Sequence, residues 1–266
     1  MSAPFRSVIL TGASRGIGAA LARALAGPGT RLLLIARDET LLGAVAEDCR
    51  ARGAEADAAA VDVTDAGALE RVLLDFDHRS PVDLVIANAG VAGGLGPGRT
   101  AEPVESAQRQ LRVNLEGPIA TATPLIEPMR ARARGQIALV SSIAGFQPLP
   151  DTPAYSASKA GLIAWGRAAD VWLRPQGVAV SVICPGFVES EMSGRYRGWK
   201  PFLMPADRAA KIILRGLAKR KPLIAFPLPL VLFARAARLV PRAVEARVMQ
   251  SAFKAEVEED PRESKQ

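Results

Sequence analysis

Short runs of uninterrupted apolar residues alternate along this chain with longer stretches whose apolar positions recur every three or four residues. The runs at 6–12, 31–37, 55–63, 81–90, 135–145 and 178–186 predict strands. They have no polar face, which fits strands covered on both sides. The stretches at 16–27, 38–53, 65–76, about 103–134 and 153–177 predict helices, with Asp38 as a cap and Gly27 and Gly53 as stops. Strands and helices alternating in this way predict the α/β class, a doubly wound parallel sheet of Rossmann type. The 266 residues fit one such domain with a core over about 6–225, and neither an internal repeat nor a linker divides it.

The pattern changes after residue 186. "SGRYRGWKPFLMP" (193–205) predicts part of a substrate lid, in which Tyr196, Trp199 and Phe202 either line an apolar pocket or anchor the loop. The apolar run from Leu223 to Ala234 contains Pro227 and Pro229 and is too short to span a bilayer. From Leu230 the spacing is helical, which predicts an added C-terminal helical segment over about 226–254, followed by a disordered polar tail over 255–266.

Charge sharpens this division. The net charge is −2 over 1–194, +12 over 195–254 and −3 beyond, within a total of +7. A basic amphipathic helix can rest on an anionic membrane as a peripheral contact. It can equally form a subunit contact, cover a lipophilic substrate, dock an acidic acyl carrier, or pack on its own domain with its arginines in water. Nucleic acid is disfavoured, because no recognition motif accompanies the charge. A hydrophobic content of 49% matches a globular protein. Two distant cysteines, Cys49 and Cys184, argue against a disulfide framework and for a reducing, cytoplasmic setting. The N-terminus leaves no room for a signal peptide before the first strand. The one histidine, His78, lies in the polar stretch "DFDHRSP" and is expected in a solvated loop; a single histidine argues against a zinc site or a Ser-His-Asp triad, and no metal is expected.

Two local patterns carry chemistry. "LTGASRGIG" joins the first strand to the first helix, with Gly12, Gly16 and Gly18 bare where a pyrophosphate could approach the amide groups of the helix N-terminus. The second strand ends at Ala36-Arg37 with no acid for a free ribose 2′-hydroxyl; Arg37, with Ser14 and Arg15, suits a 2′-phosphate and favours NADP(H) over NAD(H). Asp62, in "VDV", is expected either to accept from an adenine amino group or to cap the next helix. In "PAYSASKAG", Tyr155 and Lys159 stand one helical turn apart among small residues, so both leave the same face.

"TGASRGIG" (11–18), "NAG" (88–90), Asn114 in "VNLEG", "SS" (141–142), "YSASK" (155–159) and "PG" (185–186) resemble the short-chain dehydrogenase/reductase family. The resemblance runs from about residue 6 to about 225. It implies that Tyr155 exchanges a proton with a carbonyl or alcohol oxygen, and that Ser142 orients that oxygen. It further implies that Lys159 holds the nicotinamide ribose, and that Asn114 anchors a water in a proton relay. An unperturbed phenol has a pKa of ~10, and an ammonium about 4 Å away is expected to lower it by roughly three units. The cofactor site implied comprises Gly12, Ser14, Arg15, Gly16, Ile17, Gly18, Arg37, Asp62, Val63, Asn88, Ala89, Gly90, Tyr155, Lys159, Pro185, Gly186, Val188 and Ser190. Ser190 stands where threonine is frequent, and its hydroxyl is expected to keep a contact with the nicotinamide amide. Ser141 is expected to point away from Ser142.

These readings converge on an NADP(H)-dependent oxidoreductase interconverting a ketone or aldehyde with an alcohol. The substrate is expected to be a small carbonyl or alcohol molecule, a lipophilic one among the candidates, and the protein a homodimer or homotetramer. The alternatives are an NAD-dependent alcohol dehydrogenase and a catalytically silent NADPH-binding protein at a membrane surface.

Overall fold

The computed structural model describes residues 5–237, 239–252 and 254–258. Its chain begins with β1 (Ser7–Thr11), α1 (Gly16–Leu25), β2 (Arg31–Ala36), α2 (Glu39–Ala51), β3 (Glu55–Ala60), α3 (Ala66–Arg79) and β4 (Leu84–Ala87). The second half holds α4 (Val104–Leu111), α5 (Gly117–Ala131), β5 (Gly135–Val140), α6 (Pro153–Leu173) and β6 (Val178–Pro185). Beyond them come α7 (Glu191–Arg195), β7 (Tyr196–Gly198), α8 (Ala206–Ala218), β8 (Leu223–Phe226), α9 (Leu228–Ala237), α10 (Arg242–Ala252) and β9 (Ala255–Val257).

Seven strands form one sheet in the order β3-β2-β1-β4-β5-β6-β8, and every pairing in it is parallel. The apolar strand runs follow from this placement. Val8 and Leu10 pack with Leu32 and Leu34 in a core under α1, α2 and α8. Ile9, Leu33 and Ile35 pack on the other face with residues of α3, α5 and α6. Successive strand residues thus serve opposite cores, so each must be apolar.

The structure amends the sequence reading at four places. The six expected strands are joined by a seventh, β8, at the start of the apolar run that begins at Leu223 and at the very end of the expected core. His78 lies in the last turn of α3, not in a loop. The stretch 103–134 is two α-helices joined by a π-helical turn over Arg112–Glu116. The tail is not disordered throughout: β9 pairs antiparallel with β7, Tyr196 opposite Val257. Residues 259–266, also assigned to that tail, lie outside the described residues. No helix among the described residues is long and apolar enough to cross a membrane.

Candidate active site

The strand order reverses between β1 and β4, and in such sheets the crevice beyond the strand ends there is where ligands bind. Thr11 closes β1 at this point. Its hydroxyl oxygen accepts from the backbone N–H of Asn88 (3.1 Å) and of Ala89 (3.2 Å). In return the Asn88 side-chain amide donates to the carbonyls of Thr11 (3.1 Å) and Gly12 (3.0 Å). The glycine loop is therefore clamped to the "NAG" turn. Gly12 has φ +65°, and a Cβ there would lie 2.7 Å from the Ala89 Cα. At Gly18 a Cβ would lie 2.0 Å from the Gly12 carbonyl oxygen. Backbone meets backbone at both positions, and only glycine leaves room.

A cavity of about 530 Å³ follows this seam. Of the residues expected at the cofactor, Gly12, Ser14, Arg15, Gly16 and Ile17 line it from the loop, and Arg37, Asp62 and Val63 from the ends of β2 and β3. Asn88, Ala89 and Gly90 line its middle, with Ser142, Tyr155 and Lys159 beyond. Pro185, Gly186, Val188 and Ser190 form the opposite wall. Gly18 and Asn114 stand behind the wall instead of on it.

At the basic end, Arg15 pairs with Glu191 at 2.5 Å and with Asp38 at 3.4 Å. Arg37 lies 3.8 Å from Asp62. Asp38 caps α2 as expected, accepting from Leu41 N. Asp62 does not cap α3; Asp65 does, and Asp62 accepts from Thr64 N and Thr64 Oγ1, both at 2.8 Å. Ser190 is spent locally, closing a capping box with Ser193 at the start of α7.

At the other end, helix α6 presents Tyr155 and Lys159 to the cavity. Tyr155 is hydrogen-bonded to Ser142. Ser142 also accepts from Ala144 N at 3.1 Å, which fixes its rotamer. Lys159 is buried, donates to the Val140 carbonyl at 3.0 Å, and holds its Nζ 5.7 Å from the centre of the Tyr155 ring. Ser141 turns away as expected and donates to the Lys159 carbonyl at 2.8 Å.

The expected drop in the phenol pKa is not met in this structure. Burial pushes the Tyr155 phenol up, opposed by the Ser142 hydrogen bond. Burial likewise pulls the Lys159 ammonium down to about 8. Removal from water disfavours both charged forms, and at this separation the attraction between them does not reverse that.

Asn114 sits in the π-helical turn, fully buried. Its side chain accepts from Val91 N at 2.8 Å and donates to Val91 O at 2.9 Å. The widened turn holds this amide against the loop that follows β4. A Cβ on Gly90 would lie 3.1 Å from Asn114 Oδ1 and 3.6 Å from Lys159 Nζ, so the three pack as one unit. Replacing Asn114 by leucine leaves both backbone groups of Val91 unpaired. We expect a loss of about 3 kcal/mol in urea unfolding; an unchanged midpoint would show that this pairing carries no stability.

The remaining wall comes from the C-terminal segment. Leu230, Phe233 and Ala234 of α9, Met249 of α10 and Val257 of β9 all line the cavity. Asp151, just before α6, holds the segment in place: it accepts from Ala255 N at 2.8 Å and pairs with Arg99. Of the three lid aromatics, Tyr196 is buried on the cavity wall beside Phe187, with ring centres 5.3 Å apart. Trp199 and Phe202 face outward, 60% and 56% exposed. Sequence reasoning missed Thr11, Asp151 and β9; for the segment of α9 and α10 it offered a cover over a lipophilic substrate as one role among several, and these helices do line the cavity. Asp151 carries no local pattern that sets it apart from a solvated loop acid.

A doubly wound sheet with a glycine loop at its reversal point, and a Tyr-Lys-Ser set on the same cavity, defines a dinucleotide-dependent oxidoreductase. Residues 6–201 match the model of the short chain dehydrogenase family, and the chain belongs to that family. An oxidoreductase of Myxococcus xanthus is 36% identical over 238 residues, covering 89% of this chain and 93% of that one. A putative ketoacyl reductase of granaticin polyketide synthesis from Streptomyces violaceoruber is 34% identical, covering 71% of this chain and 70% of its own. Among solved structures, a short-chain dehydrogenase from Sphingobium yanoikuyae in complex with NADPH superposes with a TM-score of 0.76 at 26% identity, over 97% of this chain and 99% of that one. A metagenomic short-chain oxidoreductase in complex with NADP gives a TM-score of 0.70 at 32% identity, over 84% and 97%.

Proposed function

We propose that this protein is an NADP(H)-dependent reductase of an apolar ketone or aldehyde, able to run in reverse on the alcohol, with Tyr155 as its acid and base. The observation that carries this reading is the meeting of Tyr155, Ser142 and Lys159 on one cavity whose far end holds Arg15 and Arg37. The residues fit a dinucleotide phosphate: glycine leaves the loop backbone bare, and guanidinium groups stand where the second strand ends. When bound, the cofactor would supply or accept hydride. Lys159 would hold its ribose, and Arg15 and Arg37 its 2′-phosphate. Ser142 donates to the carbonyl oxygen and fixes its position beside Tyr155. Tyr155 delivers a proton to that oxygen, and burial helps by keeping the phenol protonated at neutral pH. Asn114, behind Gly90, anchors the inner end of the relay that returns the proton. The family likeness and the NADP(H) held by two of its solved neighbours support the cofactor assignment.

Assay of a panel of ketones and aldehydes with each cofactor tests the reading; no turnover with any of them overturns it. Arg37→Ala is expected to raise KM for NADPH about 10-fold or more, the scale of a lost charge-assisted hydrogen bond, and to leave KM for NADH unchanged. One observation favours NAD(H) instead: the Asp38 carboxylate shares the wall with Arg37. Wild-type turnover with NADH equal to that with NADPH would establish that alternative. Exposed apolar side chains on α9, on α10 and in the turn between them (Leu232, Val244 and Leu239) interleave in sequence with Arg235, Arg242 and Arg247 and support a peripheral surface contact for this segment.

A further inference from the structure

The substrate end of the cavity is not wholly apolar. Gln147, Thr152 and Tyr196 line it and are each more than nine-tenths buried. Gln147 Oε1, Thr152 Oγ1 and the Tyr196 hydroxyl have no hydrogen-bond partner among the described residues. Buried polar atoms left in this state carry a desolvation cost, and three on residues that line one cavity call for a ligand that answers them.

The orientation of each group is set by its surroundings. Gln147 Nε2 donates to Glu245 Oε1 of α10 at 2.7 Å. A carboxylate only accepts, so the amide nitrogen must face it, and the amide oxygen is left as a pure acceptor with no partner among the described residues. Thr152 stands at the N-cap of α6, where threonine commonly bonds its own helix, but its hydroxyl makes no cap bond. Tyr196 is fixed by its ring contact with Phe187 and by the pairing of β7 with β9.

We propose, on the reductase reading above, that Gln147, Thr152 and Tyr196 form a neutral polar subsite selecting substrates that carry a hydroxyl group apart from the reacting carbonyl. A hydroxyl is the smallest group that satisfies this set. It donates to Gln147 Oε1 and accepts from Tyr196 or Thr152. Burial, reinforced by nearby Asp151, pushes the Tyr196 phenol up to about 12, so it remains a donor throughout the working range. A carboxylate has no proton for Gln147 and meets the field of Asp151. The rest of the chamber, Leu230, Phe233 and Met249, takes the apolar body of the molecule. The C-terminal segment thereby shapes specificity twice: it supplies apolar wall, and through Glu245 it aims the Gln147 amide.

The test uses full-length protein with NADPH and a panel of linear and bicyclic ketones, each paired with monohydroxylated and carboxylated analogues. For hydroxylated members that reach the subsite, kcat/KM is expected to exceed that of the parent ketone about 10-fold or more. In Tyr196→Phe and in Gln147→Leu that ratio is expected to fall towards one. Calorimetric binding of the same pairs needs no turnover. Absence of turnover with hydroxyl preference intact in binding would sink the reductase reading alone. Turnover without hydroxyl preference, preference that survives in both variants, or better use of the carboxylated analogue would each overturn the subsite.

Discussion

Tyr155→Phe is expected to lower kcat for carbonyl reduction by about 10³-fold, with NADPH still bound. The estimate lies within the usual contribution of a positioned general acid, ~10²–10⁴-fold. The substitution removes one oxygen and keeps the ring on α6, so the fold loses little beyond the hydrogen bond to Ser142. What disappears is the proton source beside the carbonyl oxygen. Ser142 still orients that oxygen and its hydroxyl still donates, but its other contact, from Ala144 N, leaves no chain of groups behind it to replace the proton. Stopped-flow or steady-state assay on any accepted ketone, with cofactor binding checked by fluorescence, measures the effect. A variant within tenfold of the parent would show that the proton comes from elsewhere.

Lys159→Met is expected to do two opposite things: lower kcat by about 10²-fold and raise the stability of the cofactor-free protein at pH 7. The second effect follows from the lysine pKa, which is pulled from 10.5 to about 8 by burial. A pKa held below its unfolded value means that the folded state disfavours the proton. Below pH 8 the lysine is charged in both states and the fold bears the full cost, ~3 kcal/mol for a shift of this size. Between pH 8 and 10.5 the folded lysine is neutral while the unfolded one still binds its proton, so wild-type stability rises with pH through this window. Methionine fills a similar volume without charge but loses the bond to the Val140 carbonyl, which offsets about 1 kcal/mol. The net gain of about 2 kcal/mol at pH 7 should vanish by pH 10. Urea unfolding at the two pH values decides it: a variant less stable than wild type at both would mean that the buried ammonium is not the liability described.

The same residues show what the sequence disclosed and what it withheld. Tyr155 and Lys159 were legible because one helix carries both, and a spacing of four fixes their common face. The glycine loop was legible because its place after β1 and before α1 is itself sequence information. The direction of the Tyr155 shift was not, since it depends on how much protein surrounds the hydroxyl. Strand β8 escaped notice because four apolar residues follow "KRKP" and precede Pro227, and nothing local separates them from the helix that comes next. Strand β9 reads as a charged tail; it exists because β7 offers it an edge and Asp151 ties down its first amide. The π-helical turn at Asn114 leaves no mark on hydrophobic spacing. Gln147, Thr152 and Tyr196 are linked only by folding, across elements with no common register.

The family match stops at residue 201, and α9, α10 and β9 all lie beyond it. On the proposed function, proton handling and nucleotide grip are thus encoded early in the chain, and the back of the cavity is encoded at its end. Drift confined to the final fifty or so positions could redirect the protein to an unrelated compound without disturbing a single reacting group. Two descendants alike in their first two hundred positions would keep the same polar subsite yet need not accept the same apolar body.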